Sequence, residues 1–558
     1  MEFKNIKNRK DLAFFLGIED KELTYILYAK KPDNLYTTFE IAKKTGGVRI
    51  INAPMQPLKK VQESFAIKLY EAMQDEKLAP ALSGVSHGFV KERNIITNAA
   101  NHRNKKYVLN IDIKDFFDSF HFGRVRGYFI NNKYFNMPEK VATYVAQLVC
   151  YKGKLPQGAP TSPIITNLIC SIMDYHLIDL AKKYHLNYTR YADDLTFSTN
   201  DPHFIDNLLE FMSEVSSKID AAGFLLNEKK TRITISDSRQ EVTGLIVNKK
   251  IAVKREYYKM TRTMAHYLYT GKQMVLNGED ISVNQLEGRF SFINQIDYYN
   301  NIHNSNLKSE KNYLSDKFNS REKQYRLFLF YKYFFANEKP LIVTEGKTDS
   351  IYIKAALKNL YIQFPELVSM AEDGSFNLGF SFMNRTKYLK YFFGIDPFGA
   401  DTMKNIYNAY KTKYLYDYLY SLNGNRLPKK PVILLFDNEK NSKKPLQQFL
   451  KHIGMKLDFD NTSYHRIKGN LYVLTIPRIK NNDTEIEDLF TECLLKTEIN
   501  GKTFNRHCEN IEKHYGKEIL AKYVMNNYST VDFSGFEPLM KSINDVLSDY
   551  ESFLSNNT

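Results

Sequence analysis

Short apolar runs separated by charged turns fill much of the first half of this chain. The runs 186–191 and 195–197 flank Asp193-Asp194, which predicts a strand, a tight turn and a strand with two carboxylates at the tip. Residues 36–51 are predicted to form a hairpin that turns at Gly46-Gly47. Helical periodicity is predicted elsewhere, for residues 1–35, 54–71, 164–180 and, with basic faces, 249–325.

A different pattern begins near residue 338. The apolar runs 340–344, 431–436 and 471–476 are typical of strands buried in a parallel sheet, and helical segments separate them. Acidic residues follow these runs, and they are Glu345, Asp437, Glu439 and Glu487. Because the carboxyl ends of parallel strands meet at one edge, this pattern predicts a metal site there, with surface or helix-capping carboxylates as the alternative.

Candidate chemistry in the first half is concentrated in three places. Asp112 ends the apolar run 107–111, and adjacent carboxylates such as Asp193 and Asp194 repel each other unless cations neutralise them. Magnesium is the usual cation where phosphates are handled. The loop containing Gln157 and Gly158 carries Pro and Gly, which fix the backbone well enough to place both residues against a base or sugar.

Composition narrows the class of partner. The 558 residues include 78 Lys and Arg against 63 Asp and Glu, a formal charge of +15, and 14% are aromatic, which suits a nucleic acid. The four cysteines form no Cys-x-x-Cys pair, which argues against zinc and favours a reducing cytosol. We see no signal peptide and no apolar run near the ~18 residues of a membrane span, so we expect a cytoplasmic protein without a membrane partner.

The motifs around Asp112, Gln157-Gly158 and Asp193-Asp194 resemble the palm motifs of reverse transcriptases, in the same order. The segment 223–231 is similar to the following palm motif. The chain further resembles retron reverse transcriptases, through the Asn-Ala-x-x-His element at 98–102 and the Val-Thr-Gly element at 242–244. The resemblance implies an α+β right-hand polymerase, with a helical arm at 1–35, fingers and palm at 36–248, and an RNA-binding thumb at 249–325.

The resemblance also implies roles for particular residues. Asp112, Asp193 and Asp194 would be catalytic and hold two Mg²⁺ ions, which activate a primer hydroxyl and stabilise the leaving oxygen. The nucleotide-binding residues would be Phe117, which excludes the ribose 2′-hydroxyl, Gln157, Gly158, Arg93 and Lys229, with Lys230 open as an alternative to Lys229 and Lys43 or Lys44 as further triphosphate contacts. The RNA-recognition residues would be Asn98, His102, Val242, Thr243 and Gly244.

After a connection at 326–337, residues 338–495 resemble a Toprim domain, an α/β Rossmann-like metal-binding fold. Glu345 matches the glutamate of that fold and is its implied catalytic residue. Asp437 and Glu439 match its Asp-x-Asp pair, with Glu in place of the second Asp, and Glu487 is a further candidate ligand. The resemblance implies one or two Mg²⁺ or Mn²⁺ ions and nuclease activity, and 496–558 is predicted to be a helical tail.

Together these resemblances imply a retron enzyme that copies its cognate structured non-coding RNA, using dNTPs, into a branched RNA–DNA hybrid. They also imply a Toprim effector in anti-phage defence, and they leave a homo-oligomer open. One alternative is an intron-type or diversity-generating reverse transcriptase. Another is an RNA-binding scaffold in which only the Toprim site is active.

Overall fold

A computed structural model of the chain describes residues 2–43, 46–73, 82–303, 318–384, 386–396, 401–479, 482–506, 510 and 512–557. The chain divides into two compact units. The first unit comprises Met1–Tyr257 and Ile296–Asn304. The second comprises Tyr258–Gln295 and Ser305–Thr558.

The first unit combines helices with an antiparallel sheet. Its helices are α1 (Arg9–Leu16), α2 (Asp20–Thr24), α3 (Leu58–Ala72), α4 (Leu82–Val85), α5 (Ile95–Ala100), α6 (Phe122–Asn131), α7 (Glu139–Val149), α8 (Ser162–Lys183) and α9 (Leu208–Ala221). Its strands are β1 (Tyr36–Ala42), β2 (Val48–Pro54), β3 (Tyr107–Lys114), β4 (Asn187–Tyr191), β5 (Asp194–Thr199), β6 (Leu225–Leu226), β7 (Arg232–Ile235), β8 (Glu241–Val242) and β9 (Leu245–Ile246).

The main sheet of this unit has the order β4-β5-β3-β6, and β7 also pairs with β3. All of these pairings are antiparallel. The predicted hairpins at 36–51 and around Asp193 are confirmed as β1–β2 and β4–β5. Apolar residues of β3 and β5 pack against α8 and α9 in one hydrophobic core.

Helix α8 is the central helix of that core. It is the one described helix that is long and apolar enough to span a membrane, which differs from the expectation that no such segment exists. Within its most apolar window, 67% is buried inside the protein. Its apolar residues, among them Ile164, Leu168 and Leu177, are fully buried, so packing within the core accounts for its composition.

The second unit begins with two helices and continues into an α/β domain. Its helices are α10 (Arg255–Tyr269), α11 (Val283–Ile302), α12 (Ser320–Phe330), α13 (Asp349–Asn359), α14 (Lys387–Phe393), α15 (Asp401–Lys411), α16 (Tyr416–Leu422), α17 (Pro445–Ile453), α18 (Glu492–Leu495), α19 (Lys517–Asn526) and α20 (Glu537–Ser555), with the ends of α10 and α11 reaching into the first unit. Its strands are β10 (Val275–Leu276), β11 (Glu279–Asp280), β12 (Leu341–Thr344), β13 (Val368–Met370), β14 (Phe376–Leu378), β15 (Ser381–Phe382), β16 (Val432–Phe436), β17 (Tyr464–Lys468), β18 (Leu471–Thr475), β19 (Thr503–Phe504) and β20 (His514–Tyr515).

The central sheet of this domain has the order β15-β12-β16-β18-β17, parallel except for β17. The predicted parallel sheet is therefore confirmed. Alternate residues of β12, β16 and β18 enter two different hydrophobic cores, because side chains alternate between the faces of a strand. Helices α14–α17 cover one face and α13, α19 and α20 the other, which explains why the strand sequences are continuously apolar.

Two predicted segments differ from what the structure shows. The helical tail predicted at 496–558 supplies α19 and α20, which form part of a layer on the sheet, because Leu520, Ile543 and Val546 are fully buried there. The connection predicted at 326–337 continues α12 through a π-helical turn, Tyr331–Phe335. Its apolar side chains are buried, so these segments belong to the folded unit.

The same aromatic segment joins helix α11 to the α/β domain. The Phe290 ring of α11 stacks on Tyr325 with ring centres 5.5 Å apart. The Tyr325 ring in turn lies edge-on to the Phe392 ring of α14, with ring centres 5.2 Å apart. A hydrogen bond of 2.8 Å links the Ser291 and Tyr388 hydroxyls. The helical segment 258–295, predicted as part of a separate thumb, therefore shares a core with the C-terminal domain.

Candidate active sites

Three aspartates meet where β3 lies beside the β4–β5 hairpin. Asp112 near the end of β3 is directly opposite Asp194 at the start of β5. The turn between the strands holds Asp193, and its carbonyl accepts a hydrogen bond of 3.0 Å from the Ile113 amide. Ala192 adopts a φ of +56°, a left-handed conformation that tightens the turn. The three carboxylates predicted as catalytic are therefore brought together where β3 and β4 end and β5 begins, at one end of the sheet.

The protonation of these aspartates reflects their crowding. Burial raises the pKa of Asp194 to about 6, and the charges of Asp193 and Asp112 add to the shift. Burial likewise raises the pKa of Asp193, with Asp112 adding to it and Lys230 and Arg49 opposing it. A cation at this end of the sheet would relieve the repulsion that produces part of these shifts.

Two residues of the following segment bind Asp112. The Lys230 ammonium donates to both Asp112 carboxylate oxygens, at 2.9 and 3.1 Å, and Asn227 Nδ2 donates to Oδ2 at 3.0 Å. The hydrogen bond to Asp112 raises the pKa of Lys230. The sequence left Lys229 and Lys230 open as alternatives at the leaving pyrophosphate. The 3-10 turn Glu228–Lys230 directs Lys230 to Asp112, and the role of either lysine at the pyrophosphate stays a prediction. Asn227 belongs to the segment 223–231 that resembles a palm motif, but no role was predicted for it.

The loop containing Gln157 lies against the β1–β2 hairpin. The Gln157 carbonyl accepts a hydrogen bond of 2.7 Å from the Asn52 amide. Gly158 has a φ of +121°, and a Cβ there would lie 2.8 Å from the Ile51 side chain and 2.9 Å from the Asn52 carbonyl. Only glycine therefore fits this close approach. The Gln157 side chain is half-buried, and its role in nucleotide binding stays a prediction.

Phe117 follows β3 in a 3-10 turn, where it is half-buried with its ring edge-on to Phe116 at 5.5 Å. Its role in excluding the 2′-hydroxyl stays a prediction. Lys43 is exposed at the tip of the β1–β2 hairpin, and Lys44 lies outside the described residues. Arg49 of β2 acts on the pKa of Asp193, which places a positive charge of the hairpin near the aspartates.

The segment around Gly88 supports the catalytic turn from its other side. The His87 amide donates to the Arg190 carbonyl at 2.8 Å, and a Cβ on Gly88 would lie 2.6 Å from the Ala192 nitrogen. Arg93 Nη1 donates to the Ser86 carbonyl at 2.8 Å, and burial lowers the pKa of Arg93. Arg93 thus braces this segment, and its predicted contact with a triphosphate stays a prediction.

Two of the predicted RNA-recognition residues are in the wrong place for that role. Asn98 and His102 are both 0% exposed. His102 bonds to the Ser198 and Thr189 hydroxyls, both at 2.7 Å, and Asn98 Oδ1 accepts from Thr189 at 2.6 Å. Side chains enclosed in this way do not reach RNA, so the prediction for these two residues is wrong.

The Val-Thr-Gly element forms the turn between β8 and β9. Val242 is 0% exposed and belongs to the core, so its side chain is not an RNA contact. Thr243 is half-buried, and its hydroxyl donates to the Ile95 carbonyl of α5 at 3.3 Å. Gly244 is exposed, with a φ of +81°. Any RNA contact of this element is therefore limited to Thr243 and Gly244 and stays a prediction.

A buried ion pair lies behind the catalytic hairpin and was not foreseen from the sequence. Arg190 of β4 and Asp174 of α8 are both 0% exposed and joined by bonds of 2.8 and 2.7 Å. Tyr188 donates to Asp174 at 2.8 Å, and Arg190 Nη1 donates to the Ala192 carbonyl at 3.3 Å. The pair therefore links α8 to the turn that carries the aspartates.

A second carboxylate cluster lies at the carboxyl edge of the parallel sheet. Glu345 follows β12, and Asp437 and Glu439 follow β16. Glu487 lies in the 3-10 turn Ile486–Leu489, and the amide that begins this turn donates to Asp437 Oδ1 at 3.0 Å. Glu487 is 0% exposed, and its Oε1 and the Glu345 Oε2 are buried without a hydrogen-bond partner.

The charges of this cluster act strongly on one another. Burial raises the pKa of Glu345 to about 7, with Asp349, Glu439 and Glu485 adding to the shift. Burial also holds the pKa of Asp437 well above its usual range, and the charges of Glu345 and Asp349 contribute. The sequence reasoning missed Asp349 and Glu485, although Asp349 follows Glu345 by four residues at the start of α13.

Basic side chains border the second cluster. Lys517 of α19 donates to Glu487 at 3.0 Å and contacts Glu485 at 3.4 Å. Burial opposes protonation of Lys517, but the charges of Glu487, Glu485 and Asp437 and the hydrogen bond to Glu487 together outweigh it and raise the pKa. Lys444 pairs with Glu439 at 2.5 Å. The segment predicted as a tail without a site thus contributes a cation to this cluster.

The donor chemistry of both clusters suits a hard divalent cation. Their side chains are carboxylates, the ligands that Mg²⁺ prefers. Within the described ranges, no three acidic, His or Cys side chains are yet arranged to hold a metal ion. The raised pKa values in both clusters and the unpartnered oxygens of Glu345 and Glu487 fit residues that such a cation would bind.

Comparison with known proteins decides the identity of the first unit. The family described as reverse transcriptase (RNA-dependent DNA polymerase) matches residues 41–267. The retron Ec86 reverse transcriptase of Escherichia coli is 32% identical over 295 residues, which cover 52% of this chain and 85% of that protein. The chain belongs to the retron reverse transcriptase family.

Two further similarities cover parts of the chain. The retron Mx65 reverse transcriptase of Myxococcus xanthus is 33% identical over 280 residues, covering 47% of this chain and 62% of that protein. Telomerase from Candida albicans in complex with a fragment of telomeric RNA has a TM-score of 0.31 at 12% identity, covering 53% of this chain and 59% of that one.

Membership of the family assigns the activity of the first unit. The retron reverse transcriptase is an RNA-directed DNA polymerase with the reverse transcriptase fold. The catalytic role of Asp112, Asp193 and Asp194 stays a prediction, which the pairing of Asp112 with Asp194 supports. The alternative of an intron-type or diversity-generating enzyme is set aside by these relatives.

Proposed function

We propose that this retron reverse transcriptase copies its cognate structured non-coding RNA, with dNTPs, into a branched RNA–DNA hybrid. The observation that carries the proposal is the convergence of Asp112, Asp193 and Asp194 at one end of the sheet in a chain of the retron family. The formal charge of +15 suits an RNA template and its DNA copy. Priming from an internal 2′-hydroxyl follows from the family resemblance.

The chain's own residues would prepare the polymerase site for this reaction. Asp112, Asp193 and Asp194 would hold Mg²⁺, which when bound activates the primer hydroxyl and stabilises the leaving oxygen. Lys230 and Asn227 fix the orientation of Asp112, and the glycine at 158 brings the Gln157 loop against the β1–β2 hairpin. Phe117 would select dNTPs, and Lys230 would approach the leaving pyrophosphate.

The experiment is to purify the protein from cells that carry its native flanking locus, together with the Asp193→Asn variant. Bound nucleic acid is digested with RNase, DNase and a debranching enzyme. A species sensitive to all three, and absent from the variant, is the expected result. Asp118→Asn is a matched control, since Asp118 is an exposed residue that pairs with Lys154.

Bound RNA that is unchanged by Asp193→Asn would contradict the proposal and favour the RNA-binding scaffold. DNA that the debranching enzyme leaves intact would contradict the branched product alone. The two results separate the polymerase assignment from the priming assignment.

We further propose that the second cluster is the site of a Toprim-type, metal-dependent nuclease that acts as the effector in anti-phage defence. Support comes from Glu345, Asp437 and Glu439 at adjacent ends of the parallel strands β12 and β16, with the buried oxygens of Glu345 and Glu487 unpartnered. These carboxylates would hold one or two Mg²⁺ or Mn²⁺ ions, which would supply an activated water for phosphodiester cleavage. Glu345 would be the principal catalytic residue.

This proposal is tested with the Glu345→Gln variant. We expect loss of Mn²⁺-dependent cleavage of plasmid DNA or total RNA, and loss of toxicity on overexpression, with reverse transcription unchanged. Glu366→Gln, an exposed carboxylate on the same domain, is the control. Wild-type protein without cleavage of either substrate and without toxicity would contradict a nuclease, and loss of reverse transcription in Glu345→Gln would make the domain a structural part of the polymerase. Cytoplasmic location and a homo-oligomer stay predictions.

A further inference from the structure

The catalytic hairpin β4–β5 is held by buried polar side chains on both of its faces. On one face, Tyr188 and Arg190 bond to Asp174 of α8. On the other face, Thr189 and Ser198 bond to His102. Because side chains alternate along a strand, neighbouring residues of β4 bond to two different partners, Asp174 on one face and His102 on the other. We call the His102 side the clamp. The turn with Asp193 and Asp194 extends from a hairpin that is fixed on both sides.

His102 connects the two strands of the hairpin to each other. Thr189 lies on β4 and Ser198 on β5, and each hydroxyl is 2.7 Å from one ring nitrogen. Both hydroxyl residues are 2% exposed and the imidazole is 0% exposed. A shift of one strand against the other would therefore break a hydrogen bond whose groups water does not reach, which is costly for a buried polar group.

The hydrogen bonds form a chain with one direction. Asn98 Oδ1 only accepts, so the Thr189 hydroxyl donates to it at 2.6 Å. Thr189 therefore accepts from the Nε2–H of His102, and Nδ1 accepts from Ser198. This pattern needs a neutral imidazole, and burial lowers the pKa of His102 to about 3. Because this pKa lies far below neutrality, the imidazole stays neutral and the hydrogen bonds stay intact at neutral pH.

Helix α5 anchors this clamp to the rest of the unit. Asn94 caps the helix by accepting from the Ile96 and Thr97 amides. The Asn101 carbonyl after the helix accepts from Asn187 Nδ2 at 2.8 Å, which adds a second link to β4. The Thr243 hydroxyl bonds to the Ile95 carbonyl at the other end. The two retron elements of the sequence thus contact each other through α5.

We propose that Asn98 and His102 are positioning residues for DNA synthesis, which hold the catalytic hairpin in place through Thr189 and Ser198. They act through the hairpin and touch neither RNA nor nucleotide. Catalytic carboxylates must be held to within about 0.5 Å of their productive positions, which explains why a buried clamp is placed behind them. A misplacement of 1 Å costs about a hundredfold in rate.

The test compares the His102→Ala, Thr189→Val and Ser198→Ala variants with wild type. Each full-length protein is assayed for primer extension on poly(rA)/oligo(dT), with rates expressed per active site titrated in the first turnover. Thr196→Val is the matched control, because Thr196 lies opposite Thr189 on β5 but bonds to Asn110 instead of His102. The affinity for the same duplex is measured separately, without dNTPs.

We expect His102→Ala to lower kcat by roughly ten- to a hundredfold, with KM for dTTP and the duplex Kd within about twofold of wild type. Thr189→Val should also lower kcat, and Thr196→Val should leave kcat at the wild-type value. The double variant His102→Ala/Thr189→Val should lose little beyond His102→Ala, since the two residues share one bond.

Weaker duplex binding with an unchanged kcat in His102→Ala would overturn the proposal in favour of RNA recognition. Additive losses in the double variant, or an equal loss in Thr196→Val, would also overturn it, because the effect would then be general destabilisation. If His102→Ala does not fold, the Thr189→Val variant tests the proposal instead: a lower kcat with an unchanged KM for dTTP supports it, and an unchanged kcat contradicts it.

Discussion

The two carboxylate clusters of this chain are built in different ways. The polymerase cluster rests on an antiparallel hairpin whose turn carries two adjacent aspartates, with Asp112 on the neighbouring strand. The C-terminal cluster draws its members from several distant segments, Glu345, Asp437 and the turn around Glu487. The first depends on the exact placement of one hairpin, and the second depends on the packing of a whole sheet.

Their electrostatics differ accordingly. Burial brings the pKa of Asp194 to about 6 and that of Glu345 to about 7, and it holds the pKa of Asp437 well above its usual range. In the polymerase cluster Lys230 bonds to Asp112 directly. In the C-terminal cluster Lys517 reaches Glu487, while oxygens of Glu345 and Glu487 stay without partners. These differences in hydrogen-bond partners and pKa values predict different responses of the two sites to substitution and to pH.

The largest effect should come from Asp193→Asn, which removes a carboxylate from the polymerase cluster alone. We expect primer extension to fall by at least about a thousandfold, because the residue acts directly in the chemical step. Metal-dependent cleavage by the C-terminal domain should stay unchanged, and so should the melting temperature within about 2 °C. Loss of both activities would show that the clusters are not independent.

The next largest effect should come from Asp174→Asn, which leaves Arg190 buried without its partner. We expect a loss of about 3–5 kcal/mol in the free energy of unfolding of the first unit, measured by urea titration. Glu139→Gln breaks the exposed pair with Arg126 and should cost less than about 1 kcal/mol. Equal losses in the two variants would contradict the special role of the buried pair.

Glu345 should make the stability of the C-terminal domain depend on pH. Its pKa is about 7 in the folded protein and about 4.5 when unfolded, so the folded state binds the proton first as pH falls. The metal-free domain should therefore gain up to about 3 kcal/mol between pH 8 and pH 5 from this group. Thermal melts of Glu345→Gln should show a weaker pH dependence.

Adding a metal ion tests the C-terminal cluster in a second way, by comparing the melting temperatures of wild type and Glu345→Gln. At pH 8, Mn²⁺ should raise the melting temperature of wild type by binding the ionised cluster, and Glu345→Gln should lose most of this rise. Glu366→Gln should behave as wild type. A pH dependence that is identical in wild type and Glu345→Gln would show that another group of the cluster carries the proton.

The smallest effect should come from Gly158→Ala, which changes the support of the polymerase site and none of its ligands. The added Cβ would meet Ile51 and Asn52 and would strain a φ of +121°. We expect kcat/KM for dNTPs to fall by about tenfold, as measured by primer extension. Gly153→Ala is the control, because its Cβ would meet no neighbouring atom, although its φ of +78° is also strained.

Local patterns in the sequence were sufficient for the elements that carry the polymerase chemistry. The β4–β5 hairpin, its aspartate pair and the apolar strands β12, β16 and β18 were all predicted, since each depends on residues close together in the chain. Asp112 was expected to complete a metal cage with Asp193, because a carboxylate that leaves a buried strand needs a partner or an ion. The acidic residues after the strands were expected at one edge, because parallel strands share their carboxyl ends.

Tertiary structure alone decided which side of a motif faces the solvent. Asn98 and His102 were expected to recognise RNA, yet they are buried behind the hairpin, because a short motif does not show its own burial. Lys230 rather than Lys229 reaches Asp112, since neighbouring side chains on a turn point in different directions.

Long-range partners were likewise invisible in the sequence. Asp174 with Arg190, and Lys517 with Glu487, join residues that only the folded chain brings together. The aromatic run 327–335 was predicted as a connection, but it packs between α11 and the C-terminal domain. The sequence by itself thus determined the strands, turns and candidate carboxylates, because neighbouring residues encode them. Only the tertiary structure decided burial, pairing and domain limits, because those depend on contacts between distant segments.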